Sequence, residues 1–78
     1  MTAEQVRMAR AALQLGVRDL ADLAGVAPGT LSRFETGKGG INLSTAQKIR
    51  EALEAAGIQF IDKNGGGVGV RFRDRLDT

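Results

Sequence analysis

The stretch "VRDLADLAGVAPGTLSRFET", residues 17–36, contains the spacing that most restricts the fold. Apolar residues recur three or four positions apart on both sides of Gly25, which is the pattern of two short amphipathic helices. Glycine readily adopts the left-handed conformation that a tight connection needs. Pro28 suits the first position of a helix, where its missing N–H is not required. We therefore expect helices over residues 17–24 and 28–36, joined by a tight turn.

These two helices are expected to pack on each other through a shared apolar seam. Ala21 is the small residue at the expected crossing, where a larger side chain would clash. We also expect Leu23 to face inward on the first of the two helices. The other expected seam residues are Leu20, Ala24, Val26, Leu31 and Phe34. Two short helices, a glycine turn and a seam at these spacings are typical of a helix-turn-helix.

One further helix is predicted on each side of this unit. Thr2 and Gln5 have the capping-box spacing that starts a helix, and Gly16 is expected to end or interrupt it. Ser44 and Gln47 repeat that spacing and predict the start of a fourth helix, with Gly57 as its end. The residues expected to face inward on these two helices are Val6, Ala9, Leu13, Ile49, Ala52, Leu53 and Ala56.

The composition changes after Gly57. "IQFI" is apolar and β-prone, "DKNGGG" is typical of a turn, and "VGVRFR" alternates with Val68, Val70 and Phe72 on one face. This pattern predicts a β-hairpin. We expect a mostly α fold: a four-helix bundle containing the helix-turn-helix at 1–57, a hairpin at 58–73, and a frayed tail at 74–78.

Composition narrows the possible functions. The 78 residues include no Cys and no His, which argues against disulfides, a zinc site and nucleophile–base catalysis, so we expect no enzyme activity and no cofactor or metal. The glycines at 65–69 do not have the spacing of a phosphate-binding loop. The sequence lacks a signal peptide and a run of about 20 apolar residues, so we expect a cytoplasmic, nucleoid-associated protein without a membrane partner.

The net charge of +2, from 11 basic and 9 acidic residues, is a weak sign of nucleic-acid binding. The excess is +1 in residues 1–57 and +1 in residues 58–78. An argument for DNA binding must therefore rest on where the charges lie.

The sequence resembles the Cro/repressor-type, or XRE-family, helix-turn-helix proteins. The resemblance is carried by "VRDLADLAGVAPGTLSRFETGKG", by Arg10 upstream and by "LSTAQKIREAL" downstream, and it covers residues 3–57. It implies a lambda-repressor-like bundle whose third helix enters the major groove of double-stranded DNA. It also implies a bacterial or phage regulator of transcription.

Helical geometry identifies the residues of the third helix that face away from the core. Leu31 and Phe34 point inward, whereas the residues expected to contact bases point outward: Pro28, Gly29, Ser32 and Arg33. Arg33 can donate two hydrogen bonds to guanine O6 and N7, which makes it the strongest candidate. The expected phosphate contacts are Arg18, Thr30, Thr36 and Lys38, with helix capping as the alternative for Thr36 and simple solvation as the alternative for Lys38.

The resemblance assigns a structural ion pair to Arg10 and Glu35, linking the first and third helices. The sequence departs from the family at two positions. Arg18 stands where relatives usually have glutamine, and Ala27 stands where they often have Ser or Thr. Loss of a hydroxyl N-cap at Ala27 costs about 1 kcal/mol, which Pro28 partly offsets.

A single helix-turn-helix reads few base pairs, so we expect a homodimer on a palindromic operator, acting as a repressor. The candidate dimerisation residues lie in the hairpin: Ile58, Phe60, Val68, Val70 and Phe72. The alternative is that the hairpin only covers the core of its own chain. A different function is also open: an antitoxin or protein-interaction module that binds a partner such as a toxin through residues 58–78.

Overall fold

The computed structural model describes residues 1–74, and its element order confirms the predicted mostly α fold. The elements are α1 (Ala3–Leu13), α2 (Val17–Ala24), α3 (Pro28–Glu35), α4 (Leu43–Ala55), β1 (Ile58–Ile61) and β2 (Gly69–Phe72). Of the tail expected at 74–78, only Asp74 falls within the described residues. No helix in residues 1–74 has both the length and the apolar character needed to cross a bilayer.

The start of α1 follows the predicted capping box, but its end does not follow the prediction. Thr2 Oγ1 accepts from the Gln5 N–H at 3.1 Å, and Gln5 Oε1 accepts from the Thr2 N–H at 2.9 Å. The helix ends at Leu13 because Gln14 takes the left-handed conformation, with φ of 58°. Gly16 therefore does not end α1. It precedes α2 instead, where its N–H donates to Asp19 Oδ2 at 2.8 Å.

The predicted start of the fourth helix is wrong by two residues. Asn42, not Ser44, is the N-cap of α4, since its Oδ1 accepts from the Thr45 N–H at 2.7 Å. Asparagine is at least as good an N-cap as serine and comes first in the chain, so the helix begins there. Helix α3 ends at Glu35, one residue before the predicted end, and Thr36 is its C-cap.

The turn between α2 and α3 has the conformation that the sequence predicts. Gly25 has φ of 70°, in the left-handed region, and Ala21 is fully buried where the two helices meet. Two expectations fail at the edges of the core: Leu23 is 61% exposed, and Ala56, the C-cap of α4, is exposed. Around the axis of α2, the rest of the buried face lies on one side of Leu20, and Leu23 lies on the other side.

One apolar core joins all four helices and the hairpin. Its fully buried side chains are Val6, Ala9, Leu20, Ala21, Leu31, Ile49, Leu53 and Ile58. The hairpin is antiparallel and pairs Ile58 with Phe72 and Phe60 with Val70. It lies against α1 through β2 and against α4 through β1. The core therefore continues past the last helix into β1.

Gln5 holds the turn end of the hairpin to α1. Its side chain is 1% exposed, and its Nε2 donates to the carbonyl oxygens of Ile61 and Gly69, both at 3.0 Å. These two residues are paired at the turn end of the strands. One buried amide thus caps α1 with its oxygen and fixes the hairpin with its nitrogen.

We predict that Gln5→Ala lowers the free energy of unfolding by about 2–3 kcal/mol, because it removes two side-chain hydrogen bonds to strand carbonyls and opens a void. Urea unfolding followed by circular dichroism measures the loss. The matched control is Gln47→Ala on the exposed face of α4, where we expect a change within about 0.5 kcal/mol. Equal effects of the two substitutions would show that the buried amide does not secure the hairpin.

Candidate nucleic-acid interface

Helix α3 has one face in the core and one face in solvent. Leu31 is fully buried and Phe34 is half-buried against the core. The four expected base-contacting residues are all exposed and lie together on the opposite face: Pro28, Gly29, Ser32 and Arg33. The N-terminal part of the helix therefore presents a contiguous face that the chain itself leaves uncovered.

The first turn of α3 has an open position at Gly29. Pro28 occupies the first helical position, and Ala27 caps the helix without a side-chain hydrogen bond. A Cβ added at Gly29 would meet no heavy atom within 4 Å. Packing within the described chain therefore does not require glycine at this position. Glycine in a helix also lowers stability by about 0.5–1 kcal/mol relative to alanine. The bare backbone at this position is available for close approach by a ligand.

The opposite end of α3 is fixed to α1 by an ion pair between Arg10 and Glu35. Glu35 is 3% exposed, and both of its carboxylate oxygens accept from Arg10, at 2.8 Å from Nη2 and 3.0 Å from Nε. A third donor of Arg10, Nη1, reaches the Leu15 carbonyl at 3.0 Å. The hydrogen bonds to Glu35 raise the pKa of the Arg10 guanidinium above its usual range, against an opposing effect of burial.

A second arginine of α1, which the sequence analysis did not identify, also holds α3. Arg7 Nη1 donates to the backbone carbonyl of Glu35, in the last turn of the helix. Cations are favourable there because the last carbonyls of a helix lack intrahelical donors. The spacing of Arg7 and Arg10, one turn apart on α1, was the available signal for this contact.

Charge around α3 is positive although the whole chain is nearly neutral. Between Asp22 and Glu51 the chain has one acidic residue, Glu35, and that carboxylate is buried against Arg10. The exposed basic residues over the same range include Arg33, Lys38 and Lys48. The solvent-facing surface from α3 to the first turns of α4 is therefore free of exposed carboxylates, which suits a polyanionic ligand.

The four candidate phosphate contacts are all exposed, but they differ in the donors they offer. Arg18 lies in the first turn of α2, Thr30 lies on α3, and Lys38 lies in the loop after α3. Thr36 uses its hydroxyl proton within the chain, since its Oγ1 donates to the Ser32 carbonyl at 2.9 Å. In this conformation Thr36 caps the helix and has no proton to give to a phosphate.

The outer side of α2 has a different character. Leu15, Asp19, Asp22 and Leu23 line an open cavity of about 370 Å³. Asp19 and Asp22 are exposed carboxylates and would repel phosphate groups. The residues that line this cavity include none from α3.

The five candidate dimerisation residues all contribute to the core of their own chain or lie partly buried. Ile58 is 1% exposed, so its side chain packs inside the chain. Phe60, Val70 and Phe72 are half-buried against the core, and Val68 is half-buried just before β2. The outer face of the hairpin is polar, with Arg71 Nε donating to Gln59 Oε1 at 2.9 Å.

Comparison with known proteins identifies the helix-turn-helix region of the chain. A family model described as "Helix-turn-helix" matches residues 6–57, which is 52 of the 78 residues. The match runs from within α1 to two residues past the end of α4 and leaves the hairpin outside it. A search of curated proteins finds no match to this chain.

We predict that Glu35→Gln lowers the free energy of unfolding by about 1.5–3 kcal/mol, because it weakens charge-assisted hydrogen bonds at a buried site. The matched control is Glu54→Gln. Glu54 pairs with Arg50 at 3.2 Å, but both side chains are 43% exposed, and such pairs contribute at most about 0.5 kcal/mol. Thermal and urea unfolding of the two variants give the comparison, and a loss at Glu54 that equals the loss at Glu35 would contradict this role for burial.

Proposed function

Since the chain belongs to the Cro/repressor-type (XRE) helix-turn-helix family and is a DNA-binding regulator of transcription at that level, we propose that it is a sequence-specific repressor. In this proposal residues 1–57 bind DNA and two copies occupy a palindromic operator. Helix α3 enters the major groove, and bound protein blocks access of the transcription machinery to the promoter.

The exposed N-terminal face of α3 is the observation that carries this proposal. Four neighbouring residues, including Ser32 and Arg33, are presented to solvent on a helix whose other face is buried. In a helix-turn-helix, residues near the start of the second helix contact base edges. The Arg33 guanidinium would donate hydrogen bonds to a guanine, and the Ser32 hydroxyl would bond a base with lower selectivity. Gly29 would leave room for a base or a thymine methyl.

The phosphate contacts position this helix without reading sequence. We assign them to Thr30 on α3, to Lys38 in the loop after α3, and to Arg18 on α2, the helix that packs on α3, because all three are exposed. Thr36 contributes only if its hydroxyl leaves the Ser32 carbonyl.

The short length of α3 supports binding as a dimer. An eight-residue helix is about 12 Å long, which spans about four base pairs at about 3.4 Å each. Two such helices related by a twofold axis would contact half-sites about 34 Å apart and read a palindrome. Two copies therefore provide a specificity that one copy lacks.

The hairpin, residues 58–73, is the proposed dimerisation element. Within residues 1–74 the sheet contains two strands, so each strand has an edge without a strand neighbour, and such edges pair readily with another chain. Phe60, Val68, Val70 and Phe72 also retain part of their apolar surface in solvent. Ile58 supports the interface only indirectly, by holding β1 on the core.

We predict that Arg33→Ala removes about 1–3 kcal/mol of discrimination at one guanine and leaves preference at the other positions unchanged. Lys38→Ala should weaken binding to all sequences alike and reduce the slope of log K against log salt by about 1. Competition binding to duplexes selected from random DNA, at fixed and then varied salt, measures both effects.

Arg33→Lys is the matched control for the first substitution. It keeps the charge but loses the bidentate geometry, so the guanine preference should fall while the salt dependence is retained. If Arg33→Ala and Arg33→Lys leave every base preference unchanged, α3 does not read DNA as proposed.

We predict that the full chain has twice the mass of one chain in light scattering at micromolar concentration, and that Val68→Asp shifts it toward the monomer by placing a charge in the apolar contact. The control is Lys63→Asp in the exposed turn. A chain that stays monomeric yet binds a palindrome with full affinity would contradict dimerisation through the hairpin. Co-purification of a stoichiometric partner on residues 58–78 would favour the antitoxin or interaction-module alternative.

A further inference from the structure

The side chain of Arg33 lies against the loop that follows α3. A Cβ added at Gly39 would be 3.7 Å from Arg33 Nε, 3.7 Å from Nη2 and 3.8 Å from Cβ. The position of this added Cβ is thus within van der Waals range of both the Cβ of Arg33 and its guanidinium. The arginine therefore runs along the backbone at Gly39 rather than straight out into solvent.

The loop is fixed to the same residue through the backbone. The Lys38 N–H donates to the Arg33 carbonyl at 2.9 Å, and Thr36 Oγ1 is 3.3 Å from that oxygen. Gly37 has φ of 74°, which turns the chain back toward α3. These hydrogen bonds fix the backbone next to Gly39, and with it the position of Gly39 relative to Arg33.

The guanidinium of Arg33 is not held by any acceptor in the part of the chain that the structure describes. No ion pair or side-chain hydrogen bond joins it to another residue in 1–74. Beside Gly39, the guanidinium lies in ordinary van der Waals range of the position that a Cβ would take. The neighbouring Gly40 differs, because a Cβ there would meet nothing within 4 Å.

We propose that Gly39 is a positioning residue for base recognition: its missing side chain sets the direction and reach of the Arg33 guanidinium. The proposal rests on the reading role assigned to Arg33 above. A side chain at 39 that branches at Cβ places further carbon atoms in the space along which the arginine lies. The guanidinium is then displaced, and the alignment of its two donors with guanine O6 and N7 is lost.

The proposal predicts a graded series. Gly39→Ala adds one carbon at an ordinary contact distance, so guanine preference should stay within about twofold of the parent chain. Gly39→Val should reduce the preference by about fivefold or more at the base pair that Arg33→Ala identifies, and by less at every other position. Gly40→Val is the matched control and should leave that preference unchanged. Gly39→Thr, also branched at Cβ, replaces the valine variant if the latter does not fold.

The experiment is competition binding of the full-length variants to duplexes that differ at one base pair, with the double variant Arg33→Ala/Gly39→Val included. If Gly39 acts through Arg33, the valine adds nothing at this base pair once the arginine is gone. An unchanged preference in Gly39→Val, or an equal loss of preference when Arg33 is absent, overturns the proposal. If Arg33→Ala itself changes no preference, the reading role of α3 fails and this inference fails with it.

Discussion

The pairing of Arg10 with Glu35 is the interaction on which the placement of α3 depends. Helix α3 has eight residues, too few to be stable alone. It is positioned from the core side by Leu31 and from its C-terminal end by the buried Glu35 carboxylate, which is joined to α1 by hydrogen bonds from Arg10. Arg7 adds a donor to the backbone at the same end. Because α1 fixes this end, the N-terminal face of the helix can remain exposed without loss of position.

The same pairing shapes the electrostatics of the surface. Glu35 is the one carboxylate between Asp22 and Glu51, and its burial against a cation removes its charge from the solvent side. Arg33 and Lys38 then face solvent without a nearby exposed acid. A chain with a net charge of only +2 thereby has a local positive surface where a polyanion would dock, while the exposed acids of α2 line a cavity that includes no α3 residue.

Much of the helical fold could be predicted from residues whose physical effect is local. Gly25, Pro28 and the Thr2–Gln5 pair determine a turn and two helix starts largely by themselves, and the structure agrees with all three. The errors arise where two local signals compete. Asn42 caps α4 ahead of Ser44, and Gln14 ends α1 in a conformation that few residues other than glycine adopt. The capping-box spacing at Ser44 does not show that Asn42 caps the helix first, and the residue type of Gln14 does not indicate its left-handed conformation.

Contacts between parts of the chain that are distant in sequence could not be predicted from local sequence patterns. Gln5 showed its capping role in the sequence, but not its two hydrogen bonds to strand carbonyls more than fifty positions away. Likewise, alternation in the hairpin indicated an apolar face, but not that Ile58 completes the core. The residues of the reading face were accessible to sequence analysis because helical periodicity alone separates them from Leu31 and Phe34.

We propose the exposed face of α3 and the loop after it as the DNA-binding surface. Amide chemical shifts of the full chain, recorded during titration with a duplex selected from random DNA, test it directly. We expect the largest changes on residues 28–38, a smaller group at the start of α2, and little change on the outer side of α2. Changes concentrated on residues 58–72, with α3 unaffected, would contradict it.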